Sequence, residues 1–243
     1  MWKLLFSVGR AVRESGQALD RVGCRIQGNY AYKEQLSRHR RLAPLMGARP
    51  AVSKDVFVAP NASVVGRVQL GPQATVWYGS VLRGDVNEIR VGSKSSIGDG
   101  CVVHVSSDVG GTPHATTVGD NVVVEQGSIL HGCTIGDNAN VQMGSVIFDG
   151  AVVGKNAVVG AGSMVLAGAE VPEGQLWAGR PAKFVRDLTA EEKASLARSA
   201  EDQYQLAKQH EAEQMKHEDT RAEDADRQEY WVMEKPEHEN RFC

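Results

Sequence analysis

Two histidines hold the same place in a repeating pattern of apolar residues, and their spacing could support metal chemistry. His104 follows Val103 and His131 follows Leu130, and both aliphatic residues belong to one six-residue register. Neutral imidazoles are preferred zinc ligands, and a catalytic zinc site usually combines three protein ligands with a water. The pair supplies two candidate ligands, so a third must come from elsewhere.

Two further residues bear on the same chemistry. Arg83 also follows an aliphatic residue, three six-residue repeats earlier, so we expect it in the same column as the histidines. Gln126 lies two residues after an aliphatic residue, which places it on a different edge of the fold. It cannot therefore reach, within its own chain, an ion that the two histidines hold.

The element that must position these residues is a six-residue repeat that runs from Val58 to Val171. It contains two insertions, at 83–90 and 104–117, and a one-residue slip at 130–135. The side chain four residues after each aliphatic is mostly small. Glycine often follows the aliphatic directly, and we expect these glycines at corners that need a residue free of side-chain constraint. Neither the helix period of 3.6 nor the strand period of 2 produces this pattern.

The period predicts an all-β solenoid, a triangular parallel β-helix with three hexads in each coil and the aliphatic side chains pointing inward. His104 and His131 are 27 residues apart, and the second insertion accounts for nine of these, which leaves 18, or one coil. The two imidazoles should therefore stack on one corner, about 4.8 Å apart, which is the distance between neighbouring strands.

Charge divides the chain into three segments. Residues 1–48 contain 9 Lys+Arg and 3 Asp+Glu, whereas the residues after Asp187 contain 8 and 15. We expect a basic N-terminal extension at 1–48, the β-helix at 49–186, and a C-terminal helix with an acidic tail at 187–243. The four cysteines show no CxxC spacing, which argues against a disulfide framework or a thiolate zinc site. No apolar run reaches the roughly 18 residues of a membrane span.

The N-terminal extension places apolar residues among Lys3, Arg10, Arg13, Arg21 and Arg25. This pattern approximates an amphipathic helix interrupted by glycines, which suits a membrane surface or a groove on a partner. Two other interpretations stay open, namely a helix that packs on its own domain and an Arg-rich mitochondrial presequence. The basic stretch at 37–42 lacks interleaved aromatic residues, so we expect no nucleic-acid partner.

A helix start is encoded after the repeat. Leu188 is a hydrophobic staple residue, and Thr189 and Glu192 have the spacing of a capping box. Several small or apolar residues of the following helix should cover one face of the solenoid: Leu188, Leu196, Ala200, Tyr204 and Ala207. Beyond about Glu211 the composition is too charged for a core, so we expect a solvated helix end and an extended or disordered tail.

Several stretches resemble the gamma-class carbonic anhydrases: VWYGSVLRGDVNEIRVG (76–92), GDGCVVHV (98–105), VGDNVVVEQGSILHGCTIGD (118–137) and WAGRPAKFVRDLTAEE (177–192). Two stretches of the extension, GQALDRVGCRIQG (16–28) and KEQLSRHR (33–40), resemble more narrowly the mitochondrial members of this family that are attached to respiratory complex I of plants and green algae. The resemblance spans about residues 1–200.

The resemblance implies a left-handed β-helix that forms trimers, with a metal ion, usually zinc, at each subunit interface. Two histidines of one chain and one of its neighbour would bind the ion. The first two correspond to His104 and His131, and the donated one corresponds to position 126, where this chain has Gln126. Arg83 and Asp85 match the family's Arg-Gly-Asp segment, which the resemblance assigns to salt bridges between subunits.

Two further positions depart from the family. The acidic residue that follows the Arg-Gly-Asp segment corresponds to Val86, which cannot carry a proton, although Glu88 is near. The family's glutamine six residues before the first ligand corresponds to Gly98, which removes an amide that would orient water. These departures argue against turnover, so no catalytic residue is assigned.

The resemblance and these departures predict a structural or assembly subunit of mitochondrial complex I, peripheral on the matrix side of the inner membrane. It would form a trimer or heterotrimer with other gamma carbonic anhydrase subunits and contact membrane-arm subunits, with the N-terminal helix on the membrane surface. Zinc is expected only at an interface where a neighbour donates the third histidine. Two alternatives stay open: an active zinc carbonic anhydrase or bicarbonate binder at a mixed interface, and a hexapeptide-repeat acyltransferase.

Overall fold

The six-residue repeat folds into a parallel β-solenoid, as its period predicts. The computed structural model describes residues 2–27, 39–107 and 114–214. The chain divides into two units, residues 1–39 and residues 40–243, and the solenoid belongs to the second.

Twenty strands lie within the described residues. In chain order they are β1 (Leu42–Ala43), β2 (Ala51–Val52), β3 (Phe57–Val58), β4 (Ser63–Leu70), β5 (Thr75–Val76), β6 (Val81–Val91), β7 (Ser96–Ile97), β8 (Val102–His104), β9 (Thr116–Val118), β10 (Val123–Val124), β11 (Ile129–His131), β12 (Thr134–Ile135), β13 (Asn140–Val141), β14 (Val146–Ile147), β15 (Val152–Val153), β16 (Val158–Val159), β17 (Met164–Val165), β18 (Glu170–Val171), β19 (Gln175–Ala178) and β20 (Lys183–Asp187). Because β1 pairs in parallel with β4, the second unit begins before residue 49, where the sequence suggests a boundary.

These strands stack into three faces. The first face contains β8, β11, β14, β17 and the N-terminal halves of β4 and β6; the second contains β9, β12, β15, β18 and the C-terminal halves of β4 and β6. The third contains β3, β5, β7, β10, β13, β16, β19 and β20. The first insertion is therefore not a loop, because β6 continues from the first face into the second.

The core is a column of aliphatic side chains inside the three faces. All the repeat aliphatics from Val58 to Val171 are buried, and most have no exposed surface. The small residues four positions later are also mostly buried, for example Ala62, Ala74 and Cys101, which have no exposed surface. Small and large side chains therefore alternate along each coil, which fills the narrow triangular interior without voids.

The corner backbone is left-handed three residues after an aliphatic. The turn between the second and third faces uses Gln73, Lys94, Asn121, Asn138 and Asn156, with φ between 52° and 61°. Asparagine tolerates this conformation better than most residues with a side chain. Most of the other left-handed positions are occupied by glycine.

The glycines that directly follow an aliphatic have a different role, and the prediction that they free the corner backbone is wrong. Gly71, Gly92 and Gly119 do not have positive φ. An added Cβ at Gly92 would lie 2.4 Å from the Gly119 carbonyl oxygen, and one at Gly71 would lie 2.8 Å from the Gly92 carbonyl carbon. These residues are glycine because successive coils approach too closely there for a side chain.

Helix α2 (Ala190–Gln214) covers the third face and starts as the sequence predicts. The Thr189 amide donates to Glu192 Oε2 at 2.9 Å, and the Glu192 amide donates to Thr189 Oγ1 at 3.2 Å, which is a reciprocal capping box. Leu188, Ala200, Tyr204 and Ala207 are buried and Leu196 is half-buried, as expected for the cover.

The C-terminal part of α2 packs on the solenoid through His210, a histidine surrounded by charged residues in the sequence. The His210 ring lies 5.2 Å from the Trp77 ring and 5.7 Å from the Tyr78 ring, and its Nδ1 is 3.0 Å from the Tyr78 hydroxyl. Gln214 also donates to that hydroxyl at 3.0 Å. The predicted tail after Glu211 begins inside this helix, which ends at Gln214. Residues 215–243 of the tail lie outside the described residues.

The first unit contains helix α1 (Trp2–Gln27), which confirms the predicted N-terminal helix. The helix continues through Gly9, Gly16 and Gly23, so the glycines do not interrupt it. Its described apolar side chains are exposed: Val8, Val12, Leu19, Val22 and Ile26. Over the described residues, neither α1 nor α2 has an apolar stretch long enough to cross a bilayer. The resemblance to complex I subunits at 33–40 falls almost wholly outside the described residues.

Candidate metal site

The two candidate ligands stand side by side at the corner where the first face meets the second, called here the histidine corner. His104 ends β8, His131 ends β11, and they are direct register partners in this parallel pair. Their ring centroids are 5.1 Å apart and their planes differ by 45°. The structure therefore confirms the stacking that follows from counting coils.

The core sets the direction of both histidines. Val103 and Leu130, the residues before them, are fully buried. Since side chains alternate along a strand, the next residue must point away from the core. Thr116, at the end of the second insertion, ties the two coils together: its hydroxyl donates to the His104 carbonyl and accepts from the Gly132 amide at 3.0 Å.

Arg83 contacts His104, as its column position suggests, and Asp85 contacts the same ring. Arg83 Nη2 lies 2.8 Å and Asp85 Oδ1 3.2 Å from His104 Nε2. The Arg83 Nε atom is 3.3 Å from Asp85 Oδ2. Desolvation would raise the pKa of Asp85, but the hydrogen bond from the Val86 amide and the contacts with His104 lower it below its ordinary value. In the single chain these two residues support the site, and their predicted role between subunits stays a prediction.

His131 has a partner that the sequence analysis did not identify. Its Nδ1 contacts Asp149 Oδ1, which leaves Nε2 as the nitrogen available to a metal. Ser106 Oγ donates to Asp149 Oδ2 at 3.1 Å. A carboxylate behind a metal-binding imidazole commonly fixes the ring orientation and the tautomer. Asp149 does not share the register of His131, because Leu130 pairs with Ile147 and the next residue is Phe148, so counting hexads does not identify it.

Gln126 lies at the opposite end of the same face. It occupies the turn between β10 and β11, at the corner where the third face meets the first, called here the glutamine corner. Four residues lie between it and His131, so the two Cα atoms are at most about 17 Å apart at roughly 3.3 Å per residue. Gln126 is exposed and lines a cavity of about 230 Å³ between this corner and α2, together with Trp77, Gln203 and Leu206.

The described residues do not complete a metal site by themselves. Among them, no group of three or more His, Cys, Asp or Glu is arranged to hold a metal ion. Two imidazoles whose ring centroids are 5.1 Å apart fit zinc as part of a larger ligand set, because zinc accepts His nitrogen and usually needs four ligands. A third protein ligand would have to come from outside the described residues.

Other residues considered at the sequence level do not join this site. Val86 is exposed, and Glu88 forms an ion pair with Arg90. Cys133 is buried, and the resulting desolvation raises the pKa of its thiol to about 12. The raised pKa disfavours the thiolate that binds metals.

The remaining two positions are explained by packing. An added Cβ at Gly98 would lie 2.8 Å from the backbone nitrogen of Gln126, so only glycine allows the next coil to pack this closely. His114, near the end of the second insertion, is half-buried, and its Nε2 lies 3.2 Å from where a Gly150 Cβ would stand.

Known proteins are similar to this chain in sequence and in fold. Residues 115–149 match the family described as bacterial transferase hexapeptide (six repeats). The chain is 47% identical over 215 residues to gamma carbonic anhydrase 1, mitochondrial, of Arabidopsis thaliana, covering 88% of this chain and 78% of that protein. It is 46% identical over 162 residues to gamma carbonic anhydrase-like 1, mitochondrial, of the same plant, covering 66% and 64%. A crystal structure of a hexapeptide transferase family protein from Anaplasma phagocytophilum is 43% identical, with a TM-score of 0.64, covering 69% of this chain and 96% of that one.

Proposed function

The chain belongs to the gamma-class carbonic anhydrase family, and we propose that it serves there mainly as a structural and assembly subunit whose own metal position is degenerate. It forms a trimer or heterotrimer with related subunits on the matrix side of the membrane arm of mitochondrial complex I. The mitochondrial names of its Arabidopsis relatives support this location.

One observation carries the proposal: the histidine pair and Gln126 lie at opposite corners of the first face. An ion held by His104 and His131 at one corner is therefore not shared with the Gln126 of the same chain at the other. In the family arrangement, the glutamine corner of one chain faces the histidine corner of its neighbour. Every interface of a homotrimer would then offer two histidines and one amide, a donor set that zinc does not favour.

A mixed trimer changes this result. Where a neighbouring subunit has histidine at the position of Gln126, His104 and His131 would complete a three-histidine set, with Asp149 behind one imidazole. A zinc ion bound there would lower the pKa of water, so that hydroxide is available for CO2 hydration at neutral pH. This chain contributes to the arrangement by orienting two ligands and by fixing the ring of His131.

The surface between the two corners suits burial against another subunit. Register neighbours on the first face form an outward column of Val102, Ile129, Val146 and Met164. Val102 and Ile129 are 40% exposed, and larger apolar side chains at the two corners extend the patch: Met143, Phe148 and Leu166. Exposed apolar side chains grouped on one face are typical of a subunit interface.

Helix α1 is proposed as the attachment to the membrane surface and to complex I. Its described apolar side chains are exposed, it has no acidic residue in its first turn, and its sequence contains five basic residues. A basic amphipathic helix binds at the headgroup boundary through apolar burial and attraction to anionic lipids.

Two measurements test the proposal. Zinc content of the purified homotrimer should be near zero; about one zinc per chain would instead favour an active enzyme. Deleting residues 1–40 should leave a folded trimer that no longer co-purifies with complex I. Unchanged co-purification of the truncated chain would refute the attachment through α1.

An active carbonic anhydrase, or a bicarbonate-binding subunit acting at a mixed interface, is the second candidate. It is favoured by 47% identity to a protein named gamma carbonic anhydrase 1. CO2 hydration by the mixed trimer that disappears when His131 is replaced would support it, whereas a metal-loaded but inactive mixed trimer would leave the structural function.

A hexapeptide-repeat acyltransferase is the third candidate, and it rests on the transferase names of the matching family and of the Anaplasma structure. It requires a groove for an acyl donor, so failure of the full chain to bind acetyl-CoA would exclude this activity.

A further inference from the structure

Asp149 is held from two sides. His131 Nδ1 contacts one carboxylate oxygen, and Ser106 Oγ donates to the other at 3.1 Å. The side chain of Asp149 is 39% exposed and that of His131 36%. An aspartate with a separate donor on each oxygen has little freedom to rotate, so it presents a fixed acceptor to the imidazole.

The second insertion supplies the residue that holds Asp149. Residues 104–117 leave the repeat at the histidine corner, and the Ser106 amide donates to the His114 carbonyl at 3.1 Å, which joins the two ends of the insertion. This places Ser106 beside Asp149. The insertion thus adds a hydrogen-bond donor to the corner that a regular hexad would not provide.

Two glycines leave the space for this arrangement. An added Cβ at Gly132 would lie 2.8 Å from Asp149 Oδ1 and 3.0 Å from Ser106 Cβ. An added Cβ at Gly150 would lie 3.2 Å from His114 Nε2. Both glycines have positive φ, so glycine at these positions allows the left-handed backbone and also leaves room for the side chains of Asp149 and His114.

We propose that Asp149, fixed by Ser106, is a positioning residue that holds His131 as the Nδ1–H tautomer with Nε2 directed outward as a preset metal ligand. The proposal rests on the proposed function for the metal, but the tautomer is a property of the chain itself. Asp149 does not touch the ion. It acts by keeping the proton on the nitrogen that must not bind metal.

The tautomer can be observed directly in the metal-free full chain. Long-range 15N–1H spectra of 15N-histidine protein at pH 8.5 should show His131 with a protonated Nδ1 and a bare Nε2, assigned through the loss of its signals in His131→Gln. In Asp149→Ala the proton should move largely to Nε2. Asp149→Asn should keep most of the Nδ1–H form, because the amide oxygen still accepts a hydrogen bond.

The matched control is Asp120→Ala, which removes a corner carboxylate that accepts from the Ser93 amide, away from the histidines. It should leave the His131 signals unchanged, which separates a specific effect from general loosening of the solenoid. A native chain with the proton on Nε2, or an Asp149→Ala chain with unchanged His131 signals, would overturn the proposal.

Metal affinity provides a second readout in a chain that also carries Gln126→His. In that background, Asp149→Ala should weaken zinc binding about 10- to 100-fold, Ser106→Ala should weaken it less, and Asp149→Asn should restore part of the loss. Equal affinity in all four chains would count against the positioning role. If Gln126→His binds no zinc while the tautomer result is as expected, the proposed interface site fails and the role of Asp149 stands.

Discussion

The two ends of β11 show how differently one strand can be used. At the histidine corner, side chains from three coils and the second insertion fill the surface around His131, so that a Cβ at Gly132 would meet Asp149 at 2.8 Å. At the glutamine corner, nothing in the described chain lies within 4 Å of a Cβ at Gly127, and the neighbouring Gly100 and Gly144 are equally open.

The difference teaches that the chain prepares one half of a site and leaves the other half to its position in an assembly. Arg83, Asp85 and Asp149 contact the two imidazoles before any partner is present. Gln126 is exposed beside an open corner, so its effect depends on what faces it. The proposed defect therefore belongs to an interface and not to this chain's own histidine pair.

The largest stability effect is expected from the residue that both corners share. Leu130 is fully buried in the middle of β11, and Leu130→Ala should lower the free energy of unfolding by about 2 to 5 kcal/mol, because it removes core contacts and leaves a cavity. Urea unfolding measures this change. Val152→Ala, on an exposed position of β15, is the control and should stay within about 0.5 kcal/mol. Similar losses in both variants would contradict this description of the core.

An alanine at each corner glycine compares the two ends directly. Both residues have positive φ, so Gly127→Ala should cost about 1 to 2 kcal/mol from backbone strain alone. Gly132→Ala should cost about 1 to 3 kcal/mol more, because its Cβ also collides with Asp149 and Ser106. Thermal unfolding of the two variants gives the difference, and equal costs would mean that the histidine corner is no more crowded than the other.

A smaller effect is expected at the start of α2, which covers the face leading to the glutamine corner. Thr189→Ala removes the acceptor for the Glu192 amide and should lower the free energy of unfolding by about 1 kcal/mol. Serine at the same position keeps the acceptor and is the matched control. A loss of the same size in Thr189→Ser would show that the hydroxyl is not what stabilises this helix end.

The same capping box gives a pH dependence. The Arg186 guanidinium and the Thr189 amide hold the pKa of Glu192 at about 2, below its ordinary value. A lowered pKa in the folded state stabilises the fold above the ordinary pKa of about 4.5, and this contribution is lost as the pH falls toward 2. The stability difference between the native chain and Glu192→Gln should therefore shrink over that range. A constant difference in acid titrations of stability would disagree with this ion pair.

Much of the fold was predictable because the repeat is redundant. Aliphatic residues every six positions specify the solenoid, and the same count stacks His104 on His131. The capping box at Thr189 and Glu192 was also predictable, because it depends on local spacing only.

Contacts across irregular segments were not predictable in the same way. Asp149 meets His131 across the one-residue slip, and Ser106 reaches it through an insertion whose path no period describes. The glycines after the aliphatics were assigned to the wrong cause, because close approach between coils is a tertiary property. The contacts of His210 were not predictable either, because its aromatic partners lie more than 100 residues away in the sequence.

Zinc stoichiometry of the Gln126→His chain tests the central claim most directly. The purified native homotrimer should contain almost no zinc, Gln126→His should bind about one zinc per chain, and the double variant with His131→Ala should lose it again. This result would show that the histidine pair is competent and that Gln126 alone is the defect. A native homotrimer that holds one zinc per chain, or a Gln126→His chain that holds none, would contradict the account.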